Sequence, residues 1–306
     1  MKTCESPARS SPRSCSPPVP HRSTPCPARA RTQAAQLELT NGNRSVAVIS
    51  AGKAIRVFLF ALVLLATGGR AQAIDFYEIQ VYSIETAPQG HLTLELHSNT
   101  VSTAAGEAAR AALNPYQIHE TLEATYGVLP FLEVGQYLAT AKLNNGQYEY
   151  AGARTKVHFG VPQSEGWPIE IGGNLELDYM RRAAEDNPLT LEMRPILQST
   201  FGRFTLIGNF PFTKPFRGPT THKGVQFSPS GEIDYRLFNW FTPALEYYGD
   251  MGPLSSLPGV QRQQHFIVPA ANFDFLPQLE LNLGVGVGLT RTSNGLFLKS
   301  IVGWTF

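Results

Sequence analysis

Pro168-Ile169-Glu170-Ile171-Gly172-Gly173-Asn174-Leu175-Glu176-Leu177-Asp178-Tyr179-Met180 is the stretch that decides how this chain folds. Ile169, Ile171, Leu175, Leu177 and Tyr179 fall on one parity, and Glu170, Asn174, Glu176 and Asp178 on the other. Wound as a helix, the stretch would spread its acids around the whole circumference. Extended, it separates an oily face from a carboxylate face. The same period of two runs through 91–97, where Leu92, Leu94 and Leu96 oppose Thr93, Glu95 and His97. It returns in 121–128, with Leu122, Ala124, Tyr126 and Val128 against Thr121, Glu123 and Thr125. Near the end, Leu279, Leu281, Leu283, Val285, Val287 and Leu289 oppose Glu280, Asn282, Gly284, Gly286 and Gly288. The expected class is all-β.

Alternation suits a soluble sandwich as well as a membrane barrel, and the connections separate the two. Strands are expected at 91–99, 118–128, 131–141, 148–161, 168–180, 189–200, 203–212, 225–237, 242–249, 262–275, 278–290 and 296–306. Leu129-Pro130, Phe201-Gly202, Phe238-Asn239-Trp240, Leu276-Pro277 and the slightly longer 162–167 lie on one rim. The longer polar connections 100–117, 142–147, 181–188, 213–224, 250–261 and 291–295 lie on the other. Short periplasmic turns and longer external loops describe a closed antiparallel transmembrane β-barrel of about 12 strands. A sandwich has no reason to sort its loops by parity. Aromatics mark both strand ends: Phe131, Phe201, Phe204, Trp240, Phe241, Phe275 and Trp304 near the short turns, and Tyr148, Tyr150, Tyr179, Phe210, Phe212, Tyr247 and Tyr248 toward the long loops. Such girdles would sit at the two headgroup layers. The Ala-rich stretch from Gly106 to Ala112 predicts a short helix within a loop. The barrel then occupies 91–306. Residues 74–90 are left as a periplasmic or lumen-facing lead-in, because a thirteenth strand would break the even count.

Only 16% of the 306 residues are charged, below the roughly 25% of soluble domains. Residues 1–73 carry a net +8 and the remainder −7, and Cys4, Cys15 and Cys26 all lie in the first part. The main domain therefore has no disulfide framework, cysteine metal site or thiol nucleophile. Its acidity also argues against nucleic acid as a partner. Lys53 and Arg56, the apolar run 57–66 and the terminus Thr67-Gly68-Gly69-Arg70-Ala71-Gln72-Ala73 are the three parts of a secretory signal peptide over 53–73, cut after Ala73. Ten apolar residues rise only about 15 Å as a helix, half of a ~30 Å hydrocarbon core. Residues 1–52, rich in Pro, Ser and Arg, are a disordered extension or the product of an upstream start codon, with the true start near Val46 or Val48.

The chain closes on Leu296-Phe297-Leu298-Lys299-Ser300-Ile301-Val302-Gly303-Trp304-Thr305-Phe306. With Val302, Trp304 and Phe306 on one face, this strand resembles the C-terminal assembly signal of Gram-negative outer-membrane barrels. Glu78-Ile79-Gln80-Val81-Tyr82, Ala87-Pro88-Gln89-Gly90, 92–97, 120–128 and Leu132-Glu133-Val134-Gly135 resemble an outer-membrane group that includes transporters of the meta-pathway of phenol degradation. The resemblance covers most of 74–306. It implies an outer-membrane location, the barrel-assembly machinery as a partner, and transport of small solutes, aromatic compounds among them.

Parity also sorts the charges. Arg154, Lys156 and His158 share one inward face; Glu170, Glu176 and Asp178 follow, then Glu192 and Arg194, then Glu232, Asp234, Arg236, Glu246, Asp274, Glu280 and Lys299. Two roles are open to them. They can lock the barrel as cross-strand ion pairs, such as Lys156 with Glu170 or Glu176. Alternatively they line a wetted pore whose excess carboxylates favour cations or neutral polar solutes. Twelve strands give an intermediate bore. Gly284, Gly286 and Gly288 either widen it or admit close packing. The expected function is a non-enzymatic channel or transporter for small solutes; a structural or surface-binding barrel with an occluded lumen, and a lipid-modifying enzyme, are the alternatives. The best outward hydroxyl–base pair, Ser300 and His265, stands about 9.5 Å apart across an intervening strand, beyond the roughly 2.6–3.2 Å a dyad needs. No cofactor is implied. His91, His97, His119, His158 and His222 are scattered, so no metal is assigned. Lys214, Arg217, His222 and Lys223 are expected as a solvated basic loop, with contact to outer-membrane lipids and the anionic headgroups of lipopolysaccharide as the alternative.

Overall fold

The structure, a computed structural model, describes residues 74–101, 116–143, 146–161, 167–293 and 295–306. The expected extension, the signal peptide with its cleavage site and the short helix around 106–112 lie outside the described residues.

Fifteen antiparallel segments form one continuous sheet: β1 (Leu92–Val101), β2 (Tyr116–Leu129), β3 (Leu132–Leu143), β4 (Tyr148–Gly160), β5 (Glu170–Met180), β6 (Leu189–Phe201), β7 (Phe204–Asn209), β8 (Phe212–Arg217), β9 (Gln226–Phe227), β10 (Ser230–Tyr235), β11 (Phe241–Asp250), β12 (Gly252–Pro253), β13 (Gln264–Leu276), β14 (Leu279–Gly288) and β15 (Leu296–Thr305). The sheet closes into one ring. β1 pairs with β15 from Thr93↔Thr305 to Val101↔Phe297. β6 pairs along its lower half with β7 and along its upper half with β8. β7 and β8 are thus one wall strand interrupted at Phe210-Pro211, where proline removes a donor from the ladder. β9 and β10 are likewise parted at Ser228-Pro229, and β11 and β12 at Met251. Counted as wall strands there are twelve, the expected number. Closure is what lipid demands of a sheet, because an open edge would leave amides and carbonyls unpaired in hydrocarbon.

One connection is shorter than the sequence suggests. The segment 213–224 is half wall, since β8 continues to Arg217 before a 3-10 turn at Thr221–Lys223. Lys214 accordingly belongs to a strand and donates from Nζ to Thr221 O at 3.0 Å.

The outward parity is oily throughout. Leu96, Leu122, Leu138, Leu175, Leu177, Leu245, Leu283, Val285 and Leu298 are each more than 40% exposed, a continuous apolar surface that water would not tolerate. Phe238, Trp240 and Phe275 stack at the short-turn rim, with centroids 5.7 and 5.6 Å apart. Tyr148, Tyr150 and Tyr179 stand exposed at the opposite rim. Tyr248 corrects the expected girdle. Adjacent to Tyr247 in a strand, it must take the opposite face, and it points inward, where its hydroxyl donates to Glu246 at 2.7 Å.

Candidate functional site: a filled and charged lumen

The lead-in Ile74–Gly90 threads the lumen along its length. At the long-loop end the Ile74 N–H donates to Gln264 Oε1 at 3.1 Å, and Asn99 Nδ2 donates to Phe76 O at 2.8 Å. At the short-turn end the Gly90 N–H donates to Gly127 O at 2.8 Å, and Gln89 bridges the same residue. Between these points wall side chains replace a sheet ladder, satisfying backbone groups that would otherwise be buried without partners. Asn209 bonds both the N–H and the carbonyl of Tyr82, each at 2.8 Å, Gln198 accepts from the Ile84 N–H at 3.2 Å, and Glu133 from the Ala87 N–H at 2.5 Å.

Apolar packing holds the segment as well. Phe76, Ile79, Val81 and Tyr82 form a core with wall residues that include Ile196, Phe266, Val268 and Phe297, while Tyr77 packs with Ala139, Ala141, Ala151 and Met180. The inward glycines therefore do not widen a bore. The ring of Phe297 covers Gly286, occupying the place of its missing side chain. Close approach is also required at Gly127, where any Cβ would collide with the carbonyl of Pro88. Gly127→Ala should push the lower end of the segment off the wall and raise the frequency of open events in a planar-bilayer recording. A trace identical to the parent's would contradict this placement.

Three cationic centres organise the charges around the segment. Arg154, on β4, contacts Asp75, Glu78 at 2.5 Å and Asp178 at 3.3 Å. Arg194, on β6, reaches Glu192 at 2.7 Å, Glu78 at 3.6 Å and Glu176 at 3.8 Å, and its guanidinium lies 4.7 Å from the Tyr82 ring centre. Lys156 meets Glu123 at 2.6 Å and Glu133 at 3.2 Å. The expected pairing of Lys156 with Glu170 or Glu176 is thus corrected. Although Glu176 is its register partner on β5, Gly135 on the other side has no side chain to block the way. A Cβ there would stand 3.1 Å from Lys156 Cε and 3.3 Å from Glu123 Oε1, so the ammonium passes over β3 to β2. On the far wall Lys299 is held by both oxygens of Glu246, at 2.7 and 2.8 Å.

The remaining expected residues divide by position. His158 is buried between Asn174 and the Glu85 carbonyl, which accepts from Nε2 at 3.0 Å. Glu170 accepts from Gln198 at 2.9 Å, and Glu232 is buried opposite Glu246 in register. Asp234 is half-buried near the foot of β10. Glu280 is exposed at the short-turn end. Arg236 is a correction: β10 ends at Tyr235, and Arg236 lies exposed at the rim instead of lining the lumen. Residues the sequence reading left out of the site are Asp75 and Glu78, which no periodicity marks, and Glu123 and Glu133, which parity would have placed inward.

Above the segment, toward the long loops, lies a cavity of about 150 Å³. Among the described residues that line it, Arg154 and Arg194 are the cations, against Asp75, Glu78, Glu176, Asp178, Glu185, Glu192 and Asp250. Asp250 is 4% exposed; its Oδ1 accepts from the Gly252 N–H at 3.0 Å. Its Oδ2 and the Nε2 of buried Gln226, which also lines the cavity, have no hydrogen-bond partner among the described residues.

By sequence, no described protein family and no curated protein matches the chain. By structure, it is similar to the COG4313 outer membrane channel from Pseudomonas putida F1, with 11% identity and a TM-score of 0.54, over 75% of this chain and 100% of that one. The NanC porin (7% identity, TM-score 0.49, 70% and 98% covered) and the KdgM porin in complex with disordered oligogalacturonate (9%, 0.47, 71% and 99%) are more distant. The fold is that of a closed, twelve-strand antiparallel barrel of the outer-membrane type.

In this barrel the terminal strand presents Val302, Trp304 and Phe306 to the outside, each at least 40% exposed. The Phe306 N–H donates to Leu92 O at 2.8 Å, so the last residue helps seal the seam between β1 and β15. The outward pair weighed for catalysis stays apart. Ser300 Oγ donates to the Ser98 carbonyl at 3.3 Å, while His265 is engaged by Tyr247 at 2.7 Å and Gln263 at 3.0 Å.

Proposed function

We propose that the chain is an outer-membrane channel for small cationic solutes, gated by its own N-terminal segment and selecting its cargo in the external vestibule. Asp250 carries this reading. It is a buried carboxylate whose Oδ2 has no hydrogen-bond partner among the described residues, in a cavity whose described lining holds seven acids and two guanidiniums. Burial penalises its charged form unless the carboxyl takes up a proton or a counter-charge arrives, and a solute ammonium supplies the counter-charge. The apolar exterior supports placement among outer-membrane lipids and lipopolysaccharide, and the terminal aromatic strand supports recognition by the barrel-assembly machinery.

Reversal potentials across a planar bilayer with a salt gradient test the proposal. The parent should favour K⁺ over Cl⁻, and Asp250→Asn should shrink that preference measurably while leaving the conductance steps in place. Absence of discrete steps, or an unaltered preference in the variant, would remove the reading. The finer kinship with transporters of the meta-pathway of phenol degradation belongs to the same proposal. An aromatic ammonium such as benzylamine should then block current at concentrations where neutral phenol does not; the reverse order would favour an aromatic cargo over a cationic one.

A further inference from the structure

We infer that Glu95, His97 and Glu123 form a site for one divalent ion of the Zn²⁺ class in the short-turn half of the lumen, away from the vestibule. The three offer a carboxylate oxygen, an imidazole nitrogen and a second carboxylate oxygen, all within 4.8 Å of one another. Register creates the cluster. Glu95 on β1 stands directly opposite Glu123 on β2, an arrangement of like charges that destabilises a sheet unless something intervenes. His97, two residues along the same inward face, turns its Nε2 to both: 3.2 Å to Glu123 Oε2 and 3.5 Å to Glu95 Oε2. A proton on Nε2 can aim at only one of these oxygens. A metal ion accommodates all three atoms, because bonds of 2.0–2.2 Å in a tetrahedral array set ligand atoms roughly 3.3–3.6 Å apart.

The surroundings fit a ligand set. Glu123 divides its labour, with Oε1 held by Lys156 Nζ at 2.6 Å and Thr125 Oγ1 at 2.7 Å, which fixes Oε2 toward His97. Orienting bonds of that kind hold ligating carboxylates in place. His97 and Glu123 are each 1% exposed. A fourth carboxylate stands beside the set: Gly303 is the register neighbour of both Glu95 and Glu280. A Cβ there would lie 3.0 Å from Glu95 Cγ and 3.6 Å from Glu280 Oε2, so the absent side chain lets Glu280 lean over Gly303 toward Glu95. Glu95, Glu123, Glu133 and Glu280 face one lysine, and a dication offsets most of that excess.

The test uses the full untagged chain folded in detergent and stripped with chelator. Zn²⁺ titrated against a chromophoric chelator should show one tight equivalent, and Co²⁺ should give the visible absorption of a tetrahedral site. His97→Ala and Glu95→Gln should each weaken Zn²⁺ at least about a hundredfold, since losing even an orienting partner costs ten- to a hundredfold. The Co²⁺ band should vanish with His97→Ala. Glu95→Gln leaves the Lys156–Glu123 pair untouched, and gel mobility before and after boiling confirms that each variant is a folded barrel. His265→Ala, at the opposite rim, should bind as the parent does. No retained Zn²⁺, or equal affinity in parent and His97→Ala, would leave only a hydrogen-bonded ion cluster and overturn the inference. Neither result bears on whether the barrel conducts.

Discussion

Deleting residues 74–89 should raise single-channel conductance on the order of tenfold, turning a filled twelve-strand bore into an open one. The expectation follows from what the segment occupies. Ile79 is 1% exposed and Phe76, Val81 and Tyr82 under 10%, so the middle of the lumen is solid with its side chains. Among the wall residues exposed by deletion, Asn209, Gln198 and Asn99 lose the backbone groups they bond and would be rehydrated. A gentler variant guards against misfolding. Asn209→Leu removes both clamps on Tyr82 while keeping the segment, and should give flickering openings without a new steady level. Deletion that leaves conductance at the parental value would show that some other element sets the bore.

Replacing Arg154 should destabilise the barrel most. Its guanidinium answers three carboxylates, two on the lead-in and one on β5. Removing one member of a buried ion-pair network typically costs about 3–5 kcal/mol, because the partners stay behind unpaired. Arg154→Met should therefore lower the urea midpoint of barrel unfolding by that free energy, read from band shift or tryptophan fluorescence in a bilayer. Arg154→Lys should recover only part of it, since a point charge cannot fork between carboxylates. The same substitution should loosen the upper end of the segment, so recordings of Arg154→Met should show longer openings. A Met variant as stable as the parent would mean that Asp75 and Glu78 reach other partners.

The wall was legible because two physical constraints write directly into the sequence. Lipid on one face and lumen on the other impose period two, seen in 168–180, and loop length alternates with the side of the membrane. The terminal aromatics and the twelve-strand count followed. Lumen pairing was not legible to the same degree. Lys156 is five bonds long and chooses among diagonal neighbours according to which intervening residue is small, so Gly135 decides its partner from another strand. Arg236 was misplaced because strand ends are set by turn geometry, not by parity. The lead-in shows no strong period because it packs apolar side chains on two sides and presents acids between them. Its place inside the barrel was one of two expectations, and its role as the lumen's core had no signal of its own.

Threading has a consequence for biogenesis. The segment runs straight into β1, the strand that must meet β15 to complete the cylinder. A segment that carries Asp75 and Glu78 to Arg154, with the bulk of Phe76, Ile79 and Tyr82 between and beyond them, would have to force its way into a tube already closed around that space. The wall is then expected to wrap around its own leading residues as around a mandrel, with the seam made last. Barrel completion and filling of the bore would be one event, and the nascent cylinder would never stand hollow.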